Sequence, residues 1–124
     1  MFRPLCIIVG GFAIGLGLVL LLAPRAYLDL YVDSDTTAMA FAAQRLSPAI
    51  IGLGALLVLI SGQPPGPFAA RFAMVTALVW FAVAATGVFH YAMGVANVNI
   101  LIAAVTEVIL GLLFMIAGRR HRGP

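Results

Sequence analysis

Four long apolar runs separated by short polar breaks organise this chain. The first covers residues 5–23, carries no charged side chain and stops at Pro24-Arg25. The second covers residues 37–60 and contains Gln44, Arg45 and Pro48. It ends at Ser61-Gly62-Gln63-Pro64-Pro65-Gly66-Pro67, where three prolines and two glycines in seven residues stop a helix. Across residues 72–106 no acidic or basic side chain occurs apart from His90. Such a stretch is too long for one membrane crossing, which needs about 20 apolar residues. A turn within residues 91–99, where Gly94, Asn97 and Asn99 break the pattern, divides it into runs over 68–90 and 98–117.

Composition turns four apolar runs into four membrane spans. Of the 124 residues 64% are hydrophobic and 9% charged, against about 45–50% and 25% in soluble domains. Mean hydropathy is +1.15. Eleven charged side chains, seven basic and four acidic, cannot cover the surface of a soluble fold this small. The predicted class is therefore all-α: a polytopic membrane protein with four transmembrane helices in an up-down bundle, one domain over residues 1–124. Arg3 ahead of the first run also suits a signal peptide, but the run is longer than a signal core and Pro24 follows Ala23. It reads as a retained span.

Arginine placement predicts orientation. With four spans, Arg3, Arg71, Arg119, Arg120 and Arg122 share one side, opposite Arg25, Asp29, Asp33 and Asp35. The positive-inside rule then sets both termini in the cytoplasm. The absence of lysine points to a GC-rich bacterial source, hence to the bacterial inner membrane. Net charge of +3 follows from this topology and implies no nucleic-acid partner.

The connections carry little chemistry. In residues 24–32, Tyr27 and Tyr31 lie four apart beside Leu28 and Val32, one face of a short interfacial helix between spans one and two. The oxygen-rich Asp33-Ser34-Asp35-Thr36-Thr37 lacks the length and closing glutamate of a calcium loop, so Ser34, Asp35 or Thr36 is expected to cap a helix. Cys6 is alone, which excludes a disulfide framework or paired metal site within one chain. His90 and His121 fall on opposite membrane faces, so they cannot together ligate a haem. No catalytic residue, metal or cofactor is expected.

Two ionisable residues lie deep inside spans. Glu107 is ten residues beyond Asn97 and Arg45 eight beyond Thr37, about 15 and 12 Å along a helix. A lone charge at such depth costs about 2.5–3.5 kcal/mol, so each is expected to face a protein interior. Arg45 shares a stripe with Ala38, Ala42, Ala49 and Gly52, and Glu107 with Asn99, Ala103 and Gly111. Small residues let helices approach closely. A buried Arg45–Glu107 ion pair is the resulting expectation, with Gln44, Thr76, Trp80 and Thr106 lining the same polar centre. Its role is either to fix helix register or to bind a ligand such as a lipid or small apolar molecule. His90, Tyr91, Asn97 and Asn99 form either an interfacial anchor or a pocket mouth. Gly11 and Gly15 make a GxxxG pattern beside Gly10 and Gly17, a helix interface within the bundle or between protomers, joined by Gly52 and Gly111. Pro48, preceded by Ser47, predicts a kink and a freed carbonyl near Arg45.

In order, these features resemble the small four-helix bacterial membrane proteins grouped as domain of unknown function 4345. The residues that carry the resemblance are Pro24, Arg45 with Ile50-Ile51-Gly52-Leu53-Gly54, Gly87-Val88-Phe89-His90, and Glu107-Val108-Ile109-Leu110-Gly111. The resemblance spans nearly the whole chain and implies a fold and a polar centre, but no reaction.

The sequence is thus read as a binding or accessory membrane subunit, assembling with itself or with a partner subunit in the lipid bilayer. The alternative is a small transporter or proton-coupled carrier that titrates Glu107. A membrane enzyme acting on a lipid or quinone is the third reading, and it lacks a visible nucleophile–base pair.

Overall fold

The computed structural model describes residues 1–121; Arg122 of the C-terminal basic cluster lies outside the described residues. The protein is all-helical. Four helices are long and apolar enough to cross a membrane: α1 (Phe2–Leu22), α3 (Thr37–Ile60), α4 (Pro67–Ala92) and α5 (Asn99–Arg120). The short α2 (Pro24–Leu28) follows α1. At 21 to 26 residues the long helices measure about 32–39 Å, enough to traverse a hydrocarbon core of about 30 Å. Mean hydropathy is lowest in α3, at 1.7, because Gln44 and Arg45 interrupt it.

Helix ends follow local chemistry. Pro4 sits in the first turn of α1 and Pro67 opens α4, where a missing N–H costs nothing. Gly94, at φ 74°, makes the left-handed turn that ends α4; Val95 N–H donates to the His90 carbonyl at 3.0 Å. Arg119 and Arg120 extend α5 beyond the expected residue 117, and cations suit a helix C-terminus. The interfacial helix is shorter than expected: α2 ends at Leu28 and residues 29–31 form turns. The Tyr27 and Tyr31 rings still meet, with centroids 5.0 Å apart and planes tilted by 60°.

The chain divides into two compact units. One, Cys6–Ser61, holds most of α1 together with α2 and α3. Here α1 and α3 form an antiparallel hairpin at backbone contact. A methyl added at Gly10 would lie 2.7 Å from the Gly54 carbonyl, and one at Gly54 would lie 2.6 Å from the Gly10 carbonyl. Two turns further along α1, a methyl at Gly17 would meet the Ile51 side chain at 2.5 Å and the Ser47 carbonyl at 3.1 Å. Lipid offers no hydrophobic drive for helix association, so close backbone packing holds such a pair.

The second unit joins Met1–Leu5 to the segment from Gly62 onward. Its α4 and α5 pack antiparallel along Ala69, Ala70, Ala73, Ala77, Ala84 and Gly87 of α4, all buried. Gly118 meets Ala70 and Ala73, Gly111 meets the Phe81 ring, and Gly87 meets Ile100 and Ala104. Phe114 of α5 is fully buried. The start of α1 closes one end, where the Phe2 ring packs edge-on to His121 at 5.5 Å.

The glycines in contact are not all those expected. Gly111 is at an interface, but an added methyl at Gly11, Gly15 or Gly52 would meet nothing within 4 Å among the described residues. Within the α1–α3 hairpin the close approach instead uses Gly10, Gly17 and Gly54. We expect Gly10→Ala and Gly54→Ala each to destabilise the protein by about 1–3 kcal/mol. Gly11→Ala and Gly52→Ala should stay within about 0.5 kcal/mol of the parent. Unfolding followed by circular dichroism in mixed micelles distinguishes the two sets.

Candidate functional site

The polar side chains inside the spans divide into those that serve the backbone and those that do not. Pro24 has no N–H to offer the last turn of α1, and the chain turns away there, leaving carbonyls that need other donors. Gln44 Nε2 donates to the Leu21 carbonyl at 3.1 Å. Pro48 likewise deprives the Gln44 carbonyl of its helical donor. The preceding Ser47, fully buried, donates its hydroxyl to that carbonyl at 2.7 Å. The freed carbonyl expected near Arg45 is therefore Gln44's, and α3 runs on through Pro48 to Ile60.

The threonines are also committed locally. Thr76 Oγ1 donates to the Phe72 carbonyl at 2.9 Å and Thr106 Oγ1 to the Ile102 carbonyl at 3.0 Å. Such bonds to the preceding turn satisfy a hydroxyl within its own helix. The α4–α5 contacts, Gly87 beside Ala104 and Gly111 beside Phe81, set residues near 84 opposite Glu107. By that register Trp80 lies about 6 Å and Thr76 about 12 Å further along α4. Thr76 is two turns from the level of Glu107, so the set expected around one centre is spread along the helix.

Arg45 and Glu107 answer to no such local duty. Arg45 is exposed on α3, as are Ala38, Ala42, Ala49 and Gly52 of its stripe. The face of α3 turned to α1 is another one, through Ser47, Ile51 and Gly54. Glu107 is half-buried, at helical spacing with Ala104, Gly111, Phe114 and Gly118, the residues of α5 buried in its unit. Among the described residues neither Arg45 nor Glu107 has a hydrogen bond or an ion pair.

The expected pocket mouth is built as a turn. His90 Nδ1 lies 2.8 Å from the Thr86 carbonyl; a carbonyl only accepts, so Nδ1 is the donor. Asn97 Oδ1 accepts from Asn99 N–H at 3.0 Å, capping α5. His90, Tyr91 and Asn99 are exposed, and Asn97 is half-buried.

The acidic connection uses the same device. Asp35 Oδ1 accepts from Thr37 N–H at 3.1 Å and Thr37 Oγ1 at 2.7 Å, and lies 4.0 Å from Arg25 Nη2. Of the three expected caps, Asp35 performs the capping. Thr36 at the N-cap makes no such bond; its buried hydroxyl donates to Asp29. The Thr37 hydroxyl, then its N–H, with a smaller contribution from Arg25, hold the Asp35 carboxyl below the usual aspartate range. Beside this connection an open groove of about 500 Å³ runs between α1 and α2, with an almost wholly apolar lining that includes Gly15.

This chain matches no family model, no curated protein and no solved structure.

Gln44→Leu is expected to lower stability by about 0.5–1.5 kcal/mol, through the uncapped Leu21 carbonyl. Thr106→Val should change it by less than about 0.5 kcal/mol. Thermal unfolding in micelles measures both. For Asp35 the folded value is depressed, so its capping contribution is complete above the ordinary aspartate pKa and fades as pH falls through the depressed one. Carboxyl NMR titration should place Asp35 below a free aspartate, and Thr37→Val should bring it back up.

Proposed function

We propose that the protein is a binding or accessory subunit of a membrane assembly, built from further copies of itself or from a partner membrane protein. Arg45 and Glu107 form the polar centre that this assembly closes. One observation carries the reading: each is a charged side chain inside an apolar span with no polar partner among the described residues. Lipid compensates such groups poorly, at about 2.5–3.5 kcal/mol each, whereas a neighbouring helix supplies the missing donors and acceptors. The exposed stripe Ala38, Ala42, Arg45, Ala49 and Gly52 supports it, because small residues admit a second backbone around the charge.

Residence in the bacterial inner membrane with both termini cytoplasmic belongs to the same proposal. It is supported by Arg3, Arg71, Arg119 and Arg120 set against the acidic Asp29, Asp33 and Asp35. Kinship with domain of unknown function 4345 is a further part of it, resting on Pro24, Arg45 and Glu107 in that order. A second reading, a proton-coupled carrier, draws on the position of Glu107 in mid-span.

Subunit counting by single-molecule photobleaching in lipid bilayers tests the proposal. The parent protein should assemble, and Glu107→Gln or Arg45→Gln should reduce assembly about tenfold or more while helical content is retained. Parent and variants alike as solitary chains would overturn it. Assembly unchanged in Glu107→Gln, with loss of proton-coupled flux in vesicles, would favour the carrier.

A further inference from the structure

We propose that the groove between α1 and α2 holds an acyl chain of a phospholipid whose headgroup carries both a phosphate and a primary ammonium. The inference requires a surrounding bilayer and is independent of the assembly proposed above. Phe12, Gly15 and Val19 of α1 face Ala26, Tyr27 and Leu30 across the groove. The absence of a side chain at Gly15 makes the hollow, since an added methyl there would meet nothing within 4 Å among the described residues. From Phe12 to Val19 the groove follows about 10 Å of α1, a run suited to an extended alkyl chain. An empty apolar groove forfeits dispersion contacts that a flexible chain restores.

Charge at the connection selects the headgroup. Arg25 directly precedes the groove residues Ala26 and Tyr27, and its guanidinium lies 4.0 Å from the Asp35 carboxylate. Both side chains are largely exposed, at 59% and 77%, so a pair of this kind contributes little to stability and opens readily. A phosphate on Arg25 and an ammonium on Asp35 replace one weak ion pair with two charge-assisted contacts. Asp29 and Asp33 belong to the same connection, which makes the segment net negative. That disfavours a purely anionic headgroup. A quaternary ammonium has no N–H to donate to a carboxylate, so a primary amine is preferred over a choline.

The test is native mass spectrometry of the full-length protein, titrated with phosphatidylethanolamine, phosphatidylcholine and phosphatidylglycerol of identical acyl chains. Phosphatidylethanolamine should bind about tenfold more tightly than either of the others, equivalent to about 1.4 kcal/mol. The double variant Arg25→Gln with Asp35→Asn should abolish that preference while keeping binding, because the groove is intact. Gly15→Leu should fill the groove and weaken all three lipids, with the circular dichroism spectrum unchanged. Equal binding of the three lipids by the parent would overturn the headgroup assignment. Lipid binding unaffected by Gly15→Leu would overturn the groove, as would a Gly15→Leu effect on subunit count alone.

Discussion

A polar group left unmatched in lipid is the constraint on which this structure turns. Water answers an orphan carbonyl in a soluble helix; in the hydrocarbon core only the protein can. The first hairpin has two sources of such orphans, the end of α1 at Leu22 and Pro48 inside α3. Gln44 and Ser47, adjacent on one side of α3, answer them. Gln44 donates to Leu21 and accepts at its own carbonyl from Ser47. One short segment therefore ties the end of α1 to α3 and carries α3 through its proline. Gly10, Gly17 and Gly54 complete the hairpin by letting the backbones touch.

The number and limits of the long helices were legible because charge, proline and glycine punctuate otherwise uniform apolar runs. Which face of each helix meets its neighbour was not. In an apolar helix the usual contrast between a wet and a dry face is missing, so only small residues mark a contact. Span one has two such interleaved sets, Gly10 with Gly17 and Gly11 with Gly15. Nothing in the spacing ranks the first above the second. The register of α3 decides it, since Gly54 and Ser47 lie opposite Gly10 and Gly17. In α3 the same ambiguity separates Gly54, at backbone contact, from Gly52 on the exposed stripe.

The candidate site was legible at its charges and blurred around them. Depth alone singles out Arg45 and Glu107, and among the described residues neither has a hydrogen bond or an ion pair. Gln44, Thr76 and Thr106 looked like companions because they are polar at neighbouring depths, yet each one's hydrogen bond goes to a backbone carbonyl. Asn97 looked like a pocket residue and is a cap. A readable signal was present: Asn97 stands two residues before a helix, as Asp35 does, and both accept an N–H from that position.

Arg45 and Glu107 are left without a hydrogen bond or ion pair among the described residues, and the central proposal is that assembly matches them. Exchanging the charges tests it most directly, by comparing Arg45→Glu, Glu107→Arg and the double variant for subunit count in lipid bilayers. The account predicts that each single exchange disperses the assembly and that the double variant restores it. A double variant as dispersed as the singles, or singles that assemble like the parent, would contradict it.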